Sequence, residues 1–201
     1  MDNSMNADPA ETTRQTAPGI TAHDRLPEAA KRVAEALRAR GHSGDVVLLP
    51  ESGKTSEQAA AGLGCAVAQI AKSIVFRRLA DDAPVLVIAS GVNHVDEGKV
   101  AAHVGPVGRA NAQYVRDKSG YAIGGVAPIG HTVEPVTLID ADLLALDSLW
   151  AAAGHPHAVF NLTPAQLVAL TRAPVHDVAL RHPPASDGPD NPPNPKAIAA
   201  S

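Results

Sequence analysis

Between residues 26 and 180 the sequence switches repeatedly between helical spacing and strand alternation, and that switching confines the fold to the α/β class. Leu26, Ala30, Val33 and Leu37 share one helical face, with Pro27 in the first turn and Gly41 as the stop. Val46 to Leu49 reads as a short apolar strand closed by Pro50. Thr55 and Gln58 have capping-box spacing, opening an Ala-rich helix that ends near Gly64. Ile70 to Arg77 and Val85 to Ser90 are β-rich runs joined by a turn at Asp81–Pro84. Helices are expected over 96–103 and 111–118, then a strand over 136–139 and a short helix from Asp140 to Leu146. In LWAAAGHPHAVFNL, the alanines favour helix, but Gly154–His155–Pro156 is turn chemistry, so the segment predicts a hairpin. Thr163 and Pro164 supply an N-cap and a first-turn proline for a last helix, and Val175 to Leu180 returns as an edge strand. The hairpins exclude a purely parallel order. A single α/β domain with a mixed sheet and surrounding helices is expected.

Composition narrows the partners. The 201 residues suit one domain with tails: residues 1–20 are polar and aperiodic, and 181–195 carry six prolines in fifteen positions. Both ends, 1–20 and 181–201, are expected to be disordered, leaving 21–180 as the domain. Five aromatic residues in all argue against a stacking platform for single-stranded nucleic acid. A net charge of −4 argues against bulk electrostatic coating of nucleic acid, though not against a local basic groove. Cys65 stands alone, which excludes an internal disulfide and a multi-cysteine zinc site within one chain. No apolar run approaches the roughly 20 residues of a membrane span, and the N-terminus lacks a signal-peptide core, so a cytoplasmic setting is expected.

Three features imitate function. Ser52 to Ser56 (SGKTS) suggests a phosphate loop, but Leu48 stands where that motif needs its first glycine, and a turn into a capped helix accounts for the segment. His131, His155 and His157 suggest a metal, yet no acidic ligand lies at a helpful spacing. Cys65, among apolar neighbours, reads as a small buried hydrophobe rather than a nucleophile.

Two places break the local rules. Strand alternation puts Lys72 on the face of Ile70, Ile74 and Phe76, with Ser73 and Val75 on the other. A lysine there either escapes to solvent at the sheet's end or lines a cavity, where desolvation lowers its pKa and its N–H groups can reach a substrate oxygen. In GYAIGGVAPIGH, Gly124, Gly125, Pro128 and Gly130 fit neither helix nor strand. They make either a tight structural turn or a rigid loop whose amides approach a ligand.

In the order TSEQAAAGLG, QIAKSIVF, VLVIASGVNHVDEGKVA, SGYAIGGVAPIGH, VTLIDADLL and LWAAAGHPHAVFNLTPAQLVALT, the chain from about 21 to 180 resembles the YbaK/EbsC family. That family includes the editing (INS) domain of bacterial prolyl-tRNA synthetase and its freestanding relatives. The resemblance implies a twisted, partly barrel-like mixed sheet. It also implies hydrolysis of the ester joining a wrong amino acid to the tRNA 3′ acceptor end. It matches Lys72 to the family's essential lysine and Gly124 to Pro128, through Gly125, Val126 and Ala127, to its Gly-x-x-x-Pro substrate loop. His131 falls at a pocket position, and Asp96 with Lys99 at a recurrent pair opening a helix. Ser73 stands where the alanine-editing branch carries Asn, and His94 where many relatives carry Arg, which leaves the amino acid open. Since an aminoacyl ester is already activated, positioned water and oxyanion stabilisation suffice, with amides of Gly125 and Val126 as expected donors and no metal or cofactor. With no room for synthetase catalytic or anticodon domains, action in trans is expected, with a synthetase as an optional partner and neither DNA nor membrane involved. A non-hydrolytic module of the same fold, holding a tRNA end or nucleotide-like ligand, is the alternative.

Overall fold

The helix caps foreseen in the sequence fix where the chain turns. The computed structural model describes residues 25–51 and 53–181; the expected tails, Arg181 apart, lie outside them. Helix α1 (Glu28–Ala39) buries Ala30, Val33, Ala34 and Leu37, and Pro27 caps it rather than entering its first turn. Strand β1 (Val46–Leu48) precedes α2 (Ser56–Leu63), which has the full capping box between Thr55 and Gln58 and ends at Gly64 in the left-handed region. Then come β2 (Ile70–Arg78), β3 (Pro84–Ser90), α3 (Glu97–Val104), β4 (Val107–Arg109) and α4 (Ala112–Ser119). A long loop leads to β5 (Val136–Asp140), and β6 (Leu149–His155), β7 (Ala158–Leu162), α5 (Pro164–Thr171) and β8 (Val175–His176) complete the order.

These strands form one mixed sheet in the order β1-β7-β6-β2-β3-β5-β8, with β4 added to β2. The domain is therefore the single mixed α/β unit expected. Three details differ from expectation. Residues Ala141–Ala145 form a 3-10 turn rather than an α-helix. The last strand keeps only two residues, its continuation reduced to a bridge between Val95 and Ala179. Strand β4 carried no sequence signal.

The two faces of the sheet separate cleanly. One packs Ala71, Leu86, Ile88, Ile139, Ala151 and Phe160 with α1 and α5 into the main core. On the other face Phe76, Val85, Val87 and Leu138 pack against Val100 of α3 and Val178. Burial of this apolar surface is the main force holding the layers together.

The feature that makes room for a ligand is a failed pairing. Strands β2 and β6 run parallel but pair only at Ile70↔Trp150 and Ala71↔Ala151. Beyond that point β2 continues against β3, while β6 turns with β7 through a register shift between Ala152 and His155, where Gly154 takes φ of +82°. A bulge of this kind bends the strand away from its neighbour. The gap opens at Lys72.

Candidate functional site

The gap is a cleft of about 660 Å³, within the usual size range for small-ligand sites. Lys72, Ser73 and Ile74 of β2 form one wall, and Ala152 and His155 of β6 another. The entry to α2 (Lys54 to Glu57), the turn after β3 (Gly91, Val92, His94) and Ile123, Gly124 and Val126 close it. Val92 and Ile123, each 58% exposed, are apolar side chains at this cleft that no core contact explains.

Lys72 does not escape to solvent. It is half-buried, and its Nζ donates to the Gly91 carbonyl at 3.1 Å, leaving two N–H donors for a ligand. Burial pushes its pKa down, opposed by the charges of Glu57 and Asp140. Glu57 at the start of α2 is itself held below the usual carboxylate range, first by its own backbone amide, then by the Thr55 hydroxyl, and further by Lys72. Ser73, turned to the other face as alternation requires, has a buried Oγ with no hydrogen-bond partner among the described residues.

The glycine–proline loop is pinned from behind. Tyr121 Oη lies 2.9 and 2.6 Å from the carbonyls of Ile129 and Gly130, its single proton shared between them. His131 Nε2 lies 2.8 Å from the Ala127 carbonyl, which can only accept, so that nitrogen carries the proton. Desolvation lowers the His131 pKa to about 4, so the ring is neutral at neutral pH. Gly124, at φ of +85°, packs on Lys54, and a Cβ on Gly125 would stand 2.7–2.9 Å from the His155 backbone. The Gly125 amide donates to Ala122 at 3.0 Å and so is not aimed at a ligand, whereas the Val126 amide has no acceptor among the described residues.

A family model for the aminoacyl-tRNA editing domain matches residues 50–170, spanning the cleft from α2 to β7 and into α5. The chain belongs to this family. Among curated proteins, "Uncharacterized protein YwhH" of Bacillus subtilis (strain 168) is 32% identical over 124 residues, 61% of this chain and 78% of that protein. A solved structure described as a candidate trans-editing enzyme for prolyl tRNA synthetase is 42% identical, covering 78% of this chain and 99% of that one with a TM-score of 0.73. A scaffold protein from a computational epitope-grafting study is 39% identical, with the same TM-score, covering 78% of this chain and 100% of its own.

Of the expected editing-site residues, Lys72, Ser73, Gly124 and Val126 meet in the cleft. Gly125, Ala127 and Pro128 are buried in the loop behind it, and His131 braces that loop edge-on to Tyr121. Asp96 and Lys99 do not line the cleft. Asp96 caps α3 by accepting from the amides of Gly98 and Lys99, while Lys99 Nζ donates to Asp177 and the Ala179 carbonyl at 2.8 Å each. They hold the C-terminal segment against the turn that carries Gly91, Val92 and His94. His131 is likewise parted from His155 and His157, which pair with each other, the His157 amide donating to His155 Nδ1 at 3.2 Å. Among the described residues no group of three His, Cys, Asp or Glu side chains could hold a metal. Cys65 packs at the edge of the small cluster around Ala59 and Ile70, where burial raises its thiol pKa. Within SGKTS, Ser52 lies outside the described residues; Gly53 donates to Pro156 at 2.8 Å, tying the segment to the β6–β7 turn. None of the described helices is long and apolar enough to cross a membrane.

Sequence reading missed Glu57, Gly91, Trp150 and Ala152 as cleft residues. Only Gly91 had a signal of its own: a glycine at a strand end, where a Cβ would run into the Val67 carbonyl.

Proposed function

We propose that this editing-domain protein is a trans-acting aminoacyl-tRNA deacylase that hydrolyses the ester of tRNAs mischarged with small amino acids. The observation that carries the reading is Lys72, a desolvated ammonium held on Gly91 and pointing its remaining donors into a cleft of suitable size. Lys72, Lys54 and the N-terminal end of α2 together favour an anionic ligand, as the terminal phosphate and polarised ester carbonyl of a tRNA end would be. The Val126 amide is a donor for the oxyanion of the tetrahedral intermediate. Water attacks the ester carbon, the carbon–oxygen bond to the ribose breaks, and the ribose hydroxyl leaves with a proton. Ala152 and Ala158 in the cleft lining are small, which suits Ala, Ser or Thr better than an aromatic side chain. The loop residues Gly125, Ala127, Pro128 and His131 keep Gly124 and Val126 in place, and Ser73 offers a hydroxyl from beneath. Asp96 and Lys99 support the opposite rim. The tRNA acceptor end is the partner, a synthetase an optional one, the setting cytoplasmic, and neither metal nor cofactor is called upon.

Incubation of the full chain with matched tRNAs charged with Ala, Ser, Thr, Pro and Phe tests the reading. Release of one or more of the small amino acids, with Phe-tRNA spared, is expected. Tight binding of charged and uncharged tRNA ends without hydrolysis would instead select the non-hydrolytic module.

A further inference from the structure

We propose that Asp140 is the positioning residue for Lys72, fixing the ammonium from the same face of the sheet and through the turn that follows β3. The strand register makes the case. With β3 between β2 and β5, the residues of one face fall into transverse rows: Phe76, Val85 and Val136, then Ile74, Val87 and Leu138. Both rows are wholly apolar. In register the next row is Lys72, Ala89 and Asp140, since Lys72 pairs with Ala89 and the β3–β5 pairing runs through Ile88↔Ile139. Directly opposed residues point to the same face, so a cation and an acid flank one methyl group, across two strand spacings or about 10 Å of backbone.

Asp140 is fully buried. Its Oδ2 accepts from the Ser90 amide at 3.3 Å and from Asn93 Nδ2 at 2.7 Å, and its Oδ1 accepts from the Asp142 amide at 3.3 Å. Ser90 and Asn93 bracket Gly91, the carbonyl on which Lys72 rests. One carboxylate therefore ties both ends of the turn that orients the lysine. Capping the 3-10 turn requires only the Asp142 contact, and leaves the two contacts to Ser90 and Asn93 unexplained. The nearby Arg181 is spent on Asp142 and Asp177. Around Lys72 the other charged or titratable groups are Glu57 on α2 and Lys54, His94 and His155 at the cleft. A buried carboxylate favours a compensating cation; in Asp140's own row Lys72 lies on one side, and on the other is His176 of β8, opposed to Asp140 and stacked on His103.

The kinetic part of the test rests on the deacylase reading; the titrations do not. In full chain labelled at lysine Nζ, Asp140→Asn is expected to move the Lys72 titration, followed by NMR, to lower pH than in the wild type. The alkaline limb of kcat should move the same way, with kcat falling on the order of tenfold to a hundredfold and KM changing little. In the reciprocal arm, which leaves Asp140 in place, Lys72→Met should shift the NMR signals of the Ser90 amide and the Asn93 side-chain amide, both of which donate to Asp140. That arm decides the matter even where Asp140→Asn fails to fold. An unmoved Lys72 titration in folded Asp140→Asn, or unmoved Ser90 and Asn93 signals in Lys72→Met, overturns the pairing. Absence of deacylation by the wild type would count against the deacylase reading alone.

Discussion

Gly125, packed behind the cleft against the His155 backbone, and Ala152, in the cleft wall, predict different consequences for added bulk. A side chain at Gly125 runs into the His155 backbone, so Gly125→Val is expected to lift the loop from β6 and lower deacylation of every substrate alike. Ala152 is different: it lines the cleft and, unlike its neighbours Ala151 and Ala153, is not part of the main core. Ala152→Val should therefore reduce the rate on Thr-tRNA more than on Ala-tRNA, by roughly tenfold or more, as expected for a methylene-sized difference in an apolar pocket. Equal losses in initial-rate measurements on the two would show that β6 does not contact the amino acid. Lys72 was legible in the sequence because it interrupts an apolar alternation on its own strand. Asp140 interrupts Val136 and Leu138 in the same manner, but its significance depends on β5 lying parallel beside β3, a long-range pairing that no local pattern encodes.

At the scale of elements, caps were the most readable signals, since Thr55 and Thr163 each accept from the amide three residues ahead and need nothing distant. The β6–β7 hairpin was readable from its turn, despite an alanine run that prefers helix, because pairing and burial override propensity. Strand β4 was not, for Val-Gly-Arg has no period and exists by pairing with Phe76 to Arg78. The separation of β2 from β6, which creates the cleft, was equally invisible. The role of α3 also emerges only from tertiary contacts: through Lys99 it clasps the segment around Asp177 and Ala179. Lys99→Met should accelerate amide hydrogen exchange over residues 177–180 and in the turn at 91–95, with the main core unaffected. Unchanged exchange would mean that the backbone bonds from Asp96 to Val178 and from Leu180 to His94 hold the segment without the lysine.

For the whole molecule, the neutral buried His131 predicts how stability responds to acid. Its folded pKa of about 4 lies below the ordinary 6.5, so between those values the unfolded chain binds the extra proton. Stability is then fully present above about pH 6.5 and falls as pH drops toward 4, by up to about 3 kcal/mol. Asp142, lowered to about 2 mainly by Arg181, loses its contribution only below the ordinary carboxylate range, so the two windows separate. Thermal melts of His131→Gln between pH 7 and 4.5 should show a shallower decline than the wild type, and an identical decline would assign the acid sensitivity to other groups. The cleft, the braced loop and the charged row all converge on Lys72, and the most direct measurement is the deacylation rate of Lys72→Ala on mischarged tRNA. With a melting profile and fold matching the wild type, that protein is expected to lose about 10²–10³ in rate, the usual consequence of removing one preorganised donor. Turnover near the wild-type rate by the folded variant would contradict the account.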